Sequence, residues 1–490
     1  MDVRFTVGTA DLAAAQGDVL ALLLDDDLKY APPKGHPLRA EAERWLRGAK
    51  KKEVWEHPFT RAKAARFAFV GFLPLRLEFF QDGRDQARSA AAKVVDFARK
   101  RHLDRIAFLL EPTAAMELIE LIVEGVVLGA YEFTEFRDSI YPLKRMHVEL
   151  LVAEGNLSAA RRMASQRQKV CEAANGARSL VNRPGSVLPP EALAEHARKV
   201  AQKHRMRFTL LRHADLKRGG HVGLLNVGAG SAHPPVMFAL EYQGSERRQL
   251  DLALVGKGIS FDSGGISLKP WDKMWEMKGD MSGAAAVIHV LEAVAALKLK
   301  KNVTAVVPSA ENRPDARAYL PGDILRYRNG VSVEIHSTDA EGRLILADAL
   351  LWVQERFKAK KLVDVATLTG ACARALGPNY SGIMFNDEEL AAQLQEAGER
   401  AGEKLWPLPL PVEYEEQLLS PVAKIKNVGG ALAGASTAGL FLQRFIGAGV
   451  KWAHLDIAGT FFYDKKQRYF LQPGATGVMV RTLTDFIAKM

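Results

Sequence analysis

Four acidic residues sit in three glycine-bearing segments of the second half of the chain. Asp262 lies in Gly256-Lys257-Gly258-Ile259-Ser260-Phe261-Asp262-Ser263-Gly264-Gly265, Asp280 in Lys278-Gly279-Asp280-Met281-Ser282-Gly283, and Asp339 with Glu341 in Thr338-Asp339-Ala340-Glu341-Gly342-Arg343. Taken singly, each has an ordinary reading: a structural glycine turn, a helix N-cap, a solvated loop. Asp339 and Glu341 are two apart, so extended backbone would turn both to one side. Brought into one pocket, four carboxylates would repel too strongly to stay ionised in a low-dielectric site, and two divalent cations would neutralise them. Oxygen ligation without histidine or cysteine suits Mn²⁺ or Zn²⁺, with Mg²⁺ as a further option. The chemistry this points to is metal-dependent hydrolysis by an activated water. Neither HExxH nor the phosphate-loop spacing GxxxxGK[ST] occurs, which excludes two common alternatives.

These segments need a scaffold that gathers them. Short apolar runs at 250–255, 303–307, 331–335, 362–366 and 452–457 suit buried strands of a sheet covered by helices on both faces, where ligands bind in the loops beyond strand ends. The loop segments follow such runs. The first 150 residues alternate strand-like runs at 67–70 and 105–110 with helical ones at 87–99 and 114–129, the pattern of a compact α/β domain. A helical stretch from Asn156 toward Leu180 is broken by Asn182-Arg183-Pro184-Gly185. The expected fold is α/β in two domains. Residues 1–155 form a smaller N-terminal α/β domain, 156–185 a connecting helix, and 186–490 a catalytic domain with a central mixed sheet.

The bulk properties agree with a large enzyme. A chain of 490 residues exceeds what one hydrophobic core usually supports, and 48% hydrophobic with 25% charged residues is an ordinary globular balance. Cys171 and Cys372 are far apart and form no CxxC, so a disulfide framework or thiolate zinc site is not expected. The apolar run at 19–24 stops at three aspartates, which reads as a strand and a turn. No stretch is expected to span a membrane, and the location expected is cytosolic. The net charge of +10 raises a second class of function, a DNA-binding architectural or regulatory protein. Against it, the basic clusters Lys50-Lys51-Lys52, 298–301 and 358–361 are short, dispersed and poor in aromatics that could stack on bases.

The three segments, together with Ala177-Arg178-Ser179-Leu180-Val181-Asn182, Ala366-Thr367-Leu368-Thr369-Gly370-Ala371 and Gly474-Ala475-Thr476-Gly477, make residues 175–490 resemble the leucyl aminopeptidases. These are two-metal cytosolic enzymes that include bacterial aminopeptidase A. The resemblance implies removal of N-terminal residues, leucine and other apolar ones first, from peptides. It implies one metal on Asp262, Asp339 and Glu341, including the Asp339 carbonyl, and a second on Lys257, Asp262, Asp280 and Glu341. Lys257 would have to be neutral to ligate. Lys269 would stabilise the oxyanion, and Arg343 would hold a bicarbonate acting as general base. The backbone at Leu368 and Gly370 would hold the peptide, while Met277, Thr367, Ala458 and Phe461 would line an apolar pocket. A homohexamer, a dimer of trimers, is also implied, and a bacterial member of the family binds DNA. Two positions depart from the family: Ser337 stands where asparagine is common, and Lys424 where an acidic residue is common. A different two-metal hydrolase, such as a phosphatase, stays open on the residues alone.

Overall fold

In the computed structural model, the described residues are 1–9, 18–25, 55–57, 67–73, 83–110, 116–141, 143–247 and 249–490. The basic cluster Lys50-Lys51-Lys52 lies outside them. The chain divides into two compact units, Met1–Asn175 with Asp464–Pro473, and Gly176–Tyr463 with Gly474–Met490. The division falls inside the helix Leu157–Asn182.

The first unit carries the strands β1 (Asp2–Thr9), β2 (Val19–Asp25), β3 (Trp55–His57), β4 (Phe67–Leu73), β5 (Arg105–Leu109) and β6 (Arg145–Val152). They form one sheet in the order β1-β6-β5-β2-β4-β3, parallel throughout except at the β3–β4 edge. The helices Gly83–Lys100 and Met116–Gly129 pack on each other so closely that a Cβ on Gly125 would lie 2.1 Å from the Arg88 carbonyl oxygen. Arg88 is buried between them, and its charge is matched by Glu124 and, at 2.9 Å, by Asp85, as a buried guanidinium requires.

The second unit is organised by a mixed nine-stranded sheet. Its strands are β7 (Arg207–Leu211), β8 (Val236–Gln243), β9 (Leu252–Gly256), β10 (Gly258–Asp262), β11 (Asn302–Asn312), β14 (Lys361–Ala366), β15 (Tyr380–Phe385), β16 (Lys404–Pro407) and β18 (Lys451–Asp456). The order is β16-β15-β18-β14-β9-β11-β8-β7, with β10 paired to β11. Every residue of β9 and β11 is buried, which is why β9 is continuously apolar and why neither strand alternates apolar with exposed polar residues; the polar members of β11 are buried too. A small sheet of β12 (Ile324–Arg326), β13 (Ser332–Glu334) and β17 (Ile425–Lys426) leads the chain into the helix Glu341–Phe357.

The strands β10, β11, β9, β14 and β18 are linked by parallel pairings. Their C-terminal ends therefore open on one edge of the sheet. At that edge stand Asp262 and Asn312 as last residues of β10 and β11, Lys257 and Thr367 just past β9 and β14, and Asp456 ending β18. Among the described residues one stretch, Met274–Ala296, is long and apolar enough by composition to cross a membrane, against the expectation from sequence that none would be. Yet 83% of its most apolar window is buried, the signature of a core helix.

Candidate active site

Lys257 is fixed first through its backbone. Its N–H donates to the Val365 carbonyl at 3.0 Å, and its own carbonyl accepts from Ala284 N at 2.9 Å, tying β9 to β14 and to the start of the helix Ser282–Ala296. Glycines make this approach feasible: a Cβ on Gly283 would fall 2.1 Å from the Val365 oxygen, and one on Gly342 would fall 2.6 Å from Lys257 Cε. Lys257 Nζ then reaches Asp280 Oδ1, Glu341 Oε1 and the Thr367 carbonyl, each at 2.9 Å. Asp280 Oδ1 also accepts from Thr367 Oγ1 at 2.6 Å. Asp280 lies two residues before the helix and makes no capping bond to it, so the capping alternative is set aside.

Asp262 occupies the middle. Its Oδ1 accepts from Asn312 Nδ2 and Gly264 N, both at 2.8 Å, while its Oδ2 lies 2.9 Å from Lys269 Nζ. Lys269 also pairs with Asp339. The loop that carries Lys269 turns through Gly264 and Gly265, at φ +89° and +67°, conformations that side-chain-bearing residues rarely adopt. It is laced to the Asp339 segment by Thr338, whose Oγ1 donates to Gly264 O at 2.6 Å and accepts from Ser267 N at 2.8 Å. Asp339 and Glu341 are not in extended backbone. Thr338 and Asp339 form a turn and Glu341 begins the helix, so the two carboxylates converge through a turn-to-helix junction instead. Ser337 has a use of its own at the departing position, since its Oγ accepts from Asp339 N at 3.2 Å.

Ligand oxygens of Asp262, Asp280 and Glu341 lie within 4.8 Å of one another, all three residues buried. Burial, then repulsion from Glu341, pushes the Asp262 carboxyl above the usual range. Burial lifts Asp280 further, against the pull of Lys257, and lifts Asp339 with help from Asp262. Burial opposes the charges of Lys257 and Lys269, but the carboxylates around them win and hold both above the usual lysine range. Four carboxylates face two ammonium groups here, and the buried Glu341 Oε2 has no hydrogen-bond partner. An oxygen-rich, net negative, dry cluster with an unengaged carboxylate oxygen fits divalent cations.

Arg343 lies two residues past Glu341 and is 6% exposed. Its Nη1 donates to the Asn427 carbonyl at 2.8 Å, while its Nε is buried without a partner. Burial presses its pKa down to about 10, with Glu341 and Asp456 opposing, so it remains a cation at neutral pH. Beyond β14, Leu368 N donates to Asp456 Oδ1 at 3.1 Å and Thr369 Oγ1 to Asp456 Oδ2 at 2.8 Å. Ala458 N donates to the same Oδ1 at 3.1 Å. The loops after β14 and β18 are thus tied through one carboxylate. Phe461 packs against Gly279, where a Cβ would meet its ring at 2.5 Å, next to the turn Met274–Gly279 that carries half-buried Met277. Gly370 is exposed at the start of the helix Gly370–Leu376.

The catalytic domain of the cytosol aminopeptidase family matches residues 175–484. The chain belongs to the cytosol aminopeptidase family. It is 44% identical over 432 residues to a probable cytosol aminopeptidase of Geotalea uraniireducens, covering 88% of this chain and 86% of that one. A counterpart of the same name from Roseiflexus castenholzii is 39% identical over 488 residues, 98% of each chain. Among solved structures, a tomato leucine aminopeptidase variant superposes with a TM-score of 0.87 at 29% identity, covering 100% of this chain and 97% of that one. The bottromycin maturation enzyme BotP in complex with Mn gives 0.84 at 34% identity, covering 96% and 99%. The protein is accordingly an aminopeptidase, a hydrolase that acts on peptides, with the mixed α/β fold of the family.

In this aminopeptidase the six residues form two ion-paired sets, Lys257 with Asp280 and Glu341, and Lys269 with Asp262 and Asp339, brought together where the Asp262, Asp280 and Glu341 oxygens converge within 4.8 Å. The blocks Ala177 to Asn182 and Gly474 to Gly477 bind each other and not the cluster's charged groups: Arg178 Nε donates to Ala475 O at 2.9 Å, and Ala475 N to Asn182 Oδ1 at 3.0 Å. Sequence reasoning passed over Asn312, Asn427 and Asp456. Asn312 Nδ2 bridges Asp262 and the Thr338 carbonyl, and Asn427 Oδ1 accepts from His336 N at 2.8 Å while its carbonyl holds Arg343. The available signal was a polar residue closing an otherwise apolar run, as in Glu311-Asn312 after β11's apolar stretch or Asp456 at the end of β18.

Proposed function

We propose that this aminopeptidase uses two divalent metal ions to release leucine and other apolar N-terminal residues from peptides, and that it does so in the cytosol as a homohexamer, a dimer of trimers. The observation that carries the two-metal reading is the cluster of Asp262, Asp280 and Glu341 oxygens within 4.8 Å, extended by Asp339 through Lys269. Asp262, Asp339 and Glu341 would hold one ion, and Lys257, Asp262, Asp280 and Glu341 the other, with Mn²⁺ or Zn²⁺ favoured over Mg²⁺ by the nitrogen donor. When bound, the pair supplies Lewis acidity, polarising a carbonyl and lowering the pKa of water.

The chain's own groups do the rest. Lys257 would serve as a ligand only in its neutral form, which a nearby dication would favour by reversing the balance that otherwise keeps it charged. Lys269, at the more open end of the cluster, donates from Nζ to the oxygen that becomes an oxyanion, a charge that exists only in the transition state. Arg343 offers its unengaged Nε to a small anion, and bicarbonate is the anion that the family resemblance implies. The backbone at Leu368 and Gly370 orients the peptide. Met277, Thr367, Ala458 and Phe461 line the pocket for the first side chain, where one methylene more or less discriminates only modestly.

Protein loaded with Mn²⁺ or Zn²⁺ is expected to hydrolyse leucinamide and methioninamide faster than aspartyl or lysyl amides, with activity tracking metal content across samples. Metal-loaded protein that leaves leucinamide intact would sink the reading, and cleavage that survives complete removal of metal would sink its two-metal part.

A further inference from the structure

The cations at the centre of the site are engaged: Lys257 and Lys269 by carboxylates, Arg343 by the Asn427 carbonyl. Arg374 is different. It lies one turn after Gly370 in the helix Gly370–Leu376, is exposed, and among the described residues no carboxylate pairs with it. Helical side chains lean toward the N-terminus, which brings residue i+4 over residue i. The guanidinium accordingly lies over Gly370: its Nη1, Cζ and Nη2 stand 3.2, 3.8 and 4.0 Å from the point a Cβ on Gly370 would occupy. Gly370 is itself exposed, so this cation overhangs accessible backbone.

We propose that Arg374 binds a carboxylate on the leaving side of the substrate, so that the favoured substrates are dipeptides with a free C-terminus or peptides with aspartate or glutamate as second residue. The inference rests on the assignment of the Leu368 and Gly370 backbone to the peptide. Distances along the chain permit it. The Thr367 carbonyl is bonded to Lys257 Nζ inside the metal cluster, and Gly370 is three residues further out, at most ~11 Å away. In a dipeptide the terminal carboxylate carbon lies one residue span, ~3.5 Å, past the scissile carbonyl carbon. A substrate held along 368–370 therefore places that carboxylate on the side where Arg374 overhangs. A guanidinium matches it with two parallel N–H bonds, and its charge offsets repulsion from the acidic cluster behind.

The test uses the metal-loaded enzyme and two substrate pairs, Leu-Gly against Leu-Gly-amide for the terminal carboxylate and Leu-Glu-amide against Leu-Gln-amide for a side-chain carboxylate. The parent is expected to prefer the carboxylate-bearing member of at least one pair, mainly through KM, with the preference shrinking as salt rises. In Arg374→Ala and Arg374→Gln that kcat/KM ratio should fall on the order of tenfold, the effect of losing one charge-assisted contact. Arg374→Lys should retain part of it, and Arg374→Glu should invert it. Movement in one pair names the source of the carboxylate. Ratios unchanged between parent and variants in both pairs overturn the role of Arg374 alone, whereas a metal-loaded parent that cleaves none of the four overturns it together with the two-metal reading.

Discussion

The carboxylate cluster has a deep end and a shallow end, built by different means. At the deep end the Lys257 and Asp280 side chains are 4% and 6% exposed, and they hang from strand ends and helix starts packed closely across Gly283 and Gly342. At the shallow end Lys269 and Asp339 are 22% and 37% exposed and sit on a loop and a turn, held to each other by hydroxyl and amide bonds through Thr338 and Ser267. The deep end is closed because its backbone belongs to the sheet and its surrounding helices. The shallow end is open because its loop and turn leave Lys269 and Asp339 partly in solvent, where the proposed substrate would enter. One acidic cluster thus separates holding charge from using it.

The largest test of that separation compares one substitution at each end. Asp280→Ala strips Lys257 of its closest carboxylate in a dry site, and is expected to lower bound metal and to cut activity by about 10³-fold, with a stability loss of about 3 kcal/mol. Lys269→Ala, at the shallow end, is expected to keep its metal and lower kcat by about 10²-fold with little change in KM. Metal analysis and steady-state kinetics on the same preparations decide it. Equal metal loss in the two variants would erase the distinction between the ends.

Much of the deep end was legible in the sequence because it consists of acidic and glycine residues concentrated in short segments. The scaffold was legible too, since fully buried strands write themselves as largely apolar runs, unbroken in β9 and interrupted only by Thr304 between Val303 and Val307 of β11. What failed to show was everything that depends on register between strands distant in sequence. Ala366 pairs with Asp456 across β14 and β18, and only that register brings the carboxylate under Leu368. A lone aspartate ending one apolar run carries no such information. The backbone between Asp339 and Glu341 was likewise hidden: a spacing of two suits a strand, and here a turn entering a helix makes the same convergence. Nor does composition mark Asp464–Pro473, a ten-residue stretch near the C-terminus that belongs to the first unit.

Asp456 sharpens the comparison at a smaller scale. It touches neither end of the cluster in its hydrogen bonds, yet its two oxygens hold Leu368 N, Thr369 Oγ1 and Ala458 N, the loops that flank the proposed substrate path. As a positioning residue it should act on KM. Asp456→Ala is expected to raise KM for leucyl amides by about tenfold with metal content unchanged, because two half-buried N–H groups lose the acceptor that ties the loops together. Asp456→Asn, which still accepts through Oδ1, should recover most of the loss. A variant whose kcat falls while KM stays fixed would place Asp456 with the reacting groups and not with the walls.

The mildest expectation for activity concerns the same helix as Glu341, two turns further in. Asp348 is fully buried, accepts from Leu224 N at 2.8 Å through Oδ2, and has no partner on Oδ1. Burial pushes its carboxyl up to about 8. Below the usual carboxylate range near 4, folded and unfolded chains both carry the proton, and Asp348 contributes nothing to the pH dependence of stability. Between there and pH 8 the unfolded chain has released the proton while the folded one keeps it, so unfolding releases a proton and each rise in pH weakens the fold, by roughly 1.4 kcal/mol per unit from this group. Above pH 8 the carboxylate is ionised in both states and the loss levels off. Asp348→Asn keeps an acceptor for Leu224 N and removes the titration. Its stability advantage over the parent should therefore grow from pH 4 to pH 8 in urea denaturation, while kcat at a fixed pH stays within about twofold because Asp348 faces the helix Val222–Val227 and not the cluster. Parallel stability curves for parent and variant would mean that Asp348 is ionised inside the folded protein throughout this range, stabilised by the start of that helix and by Arg328.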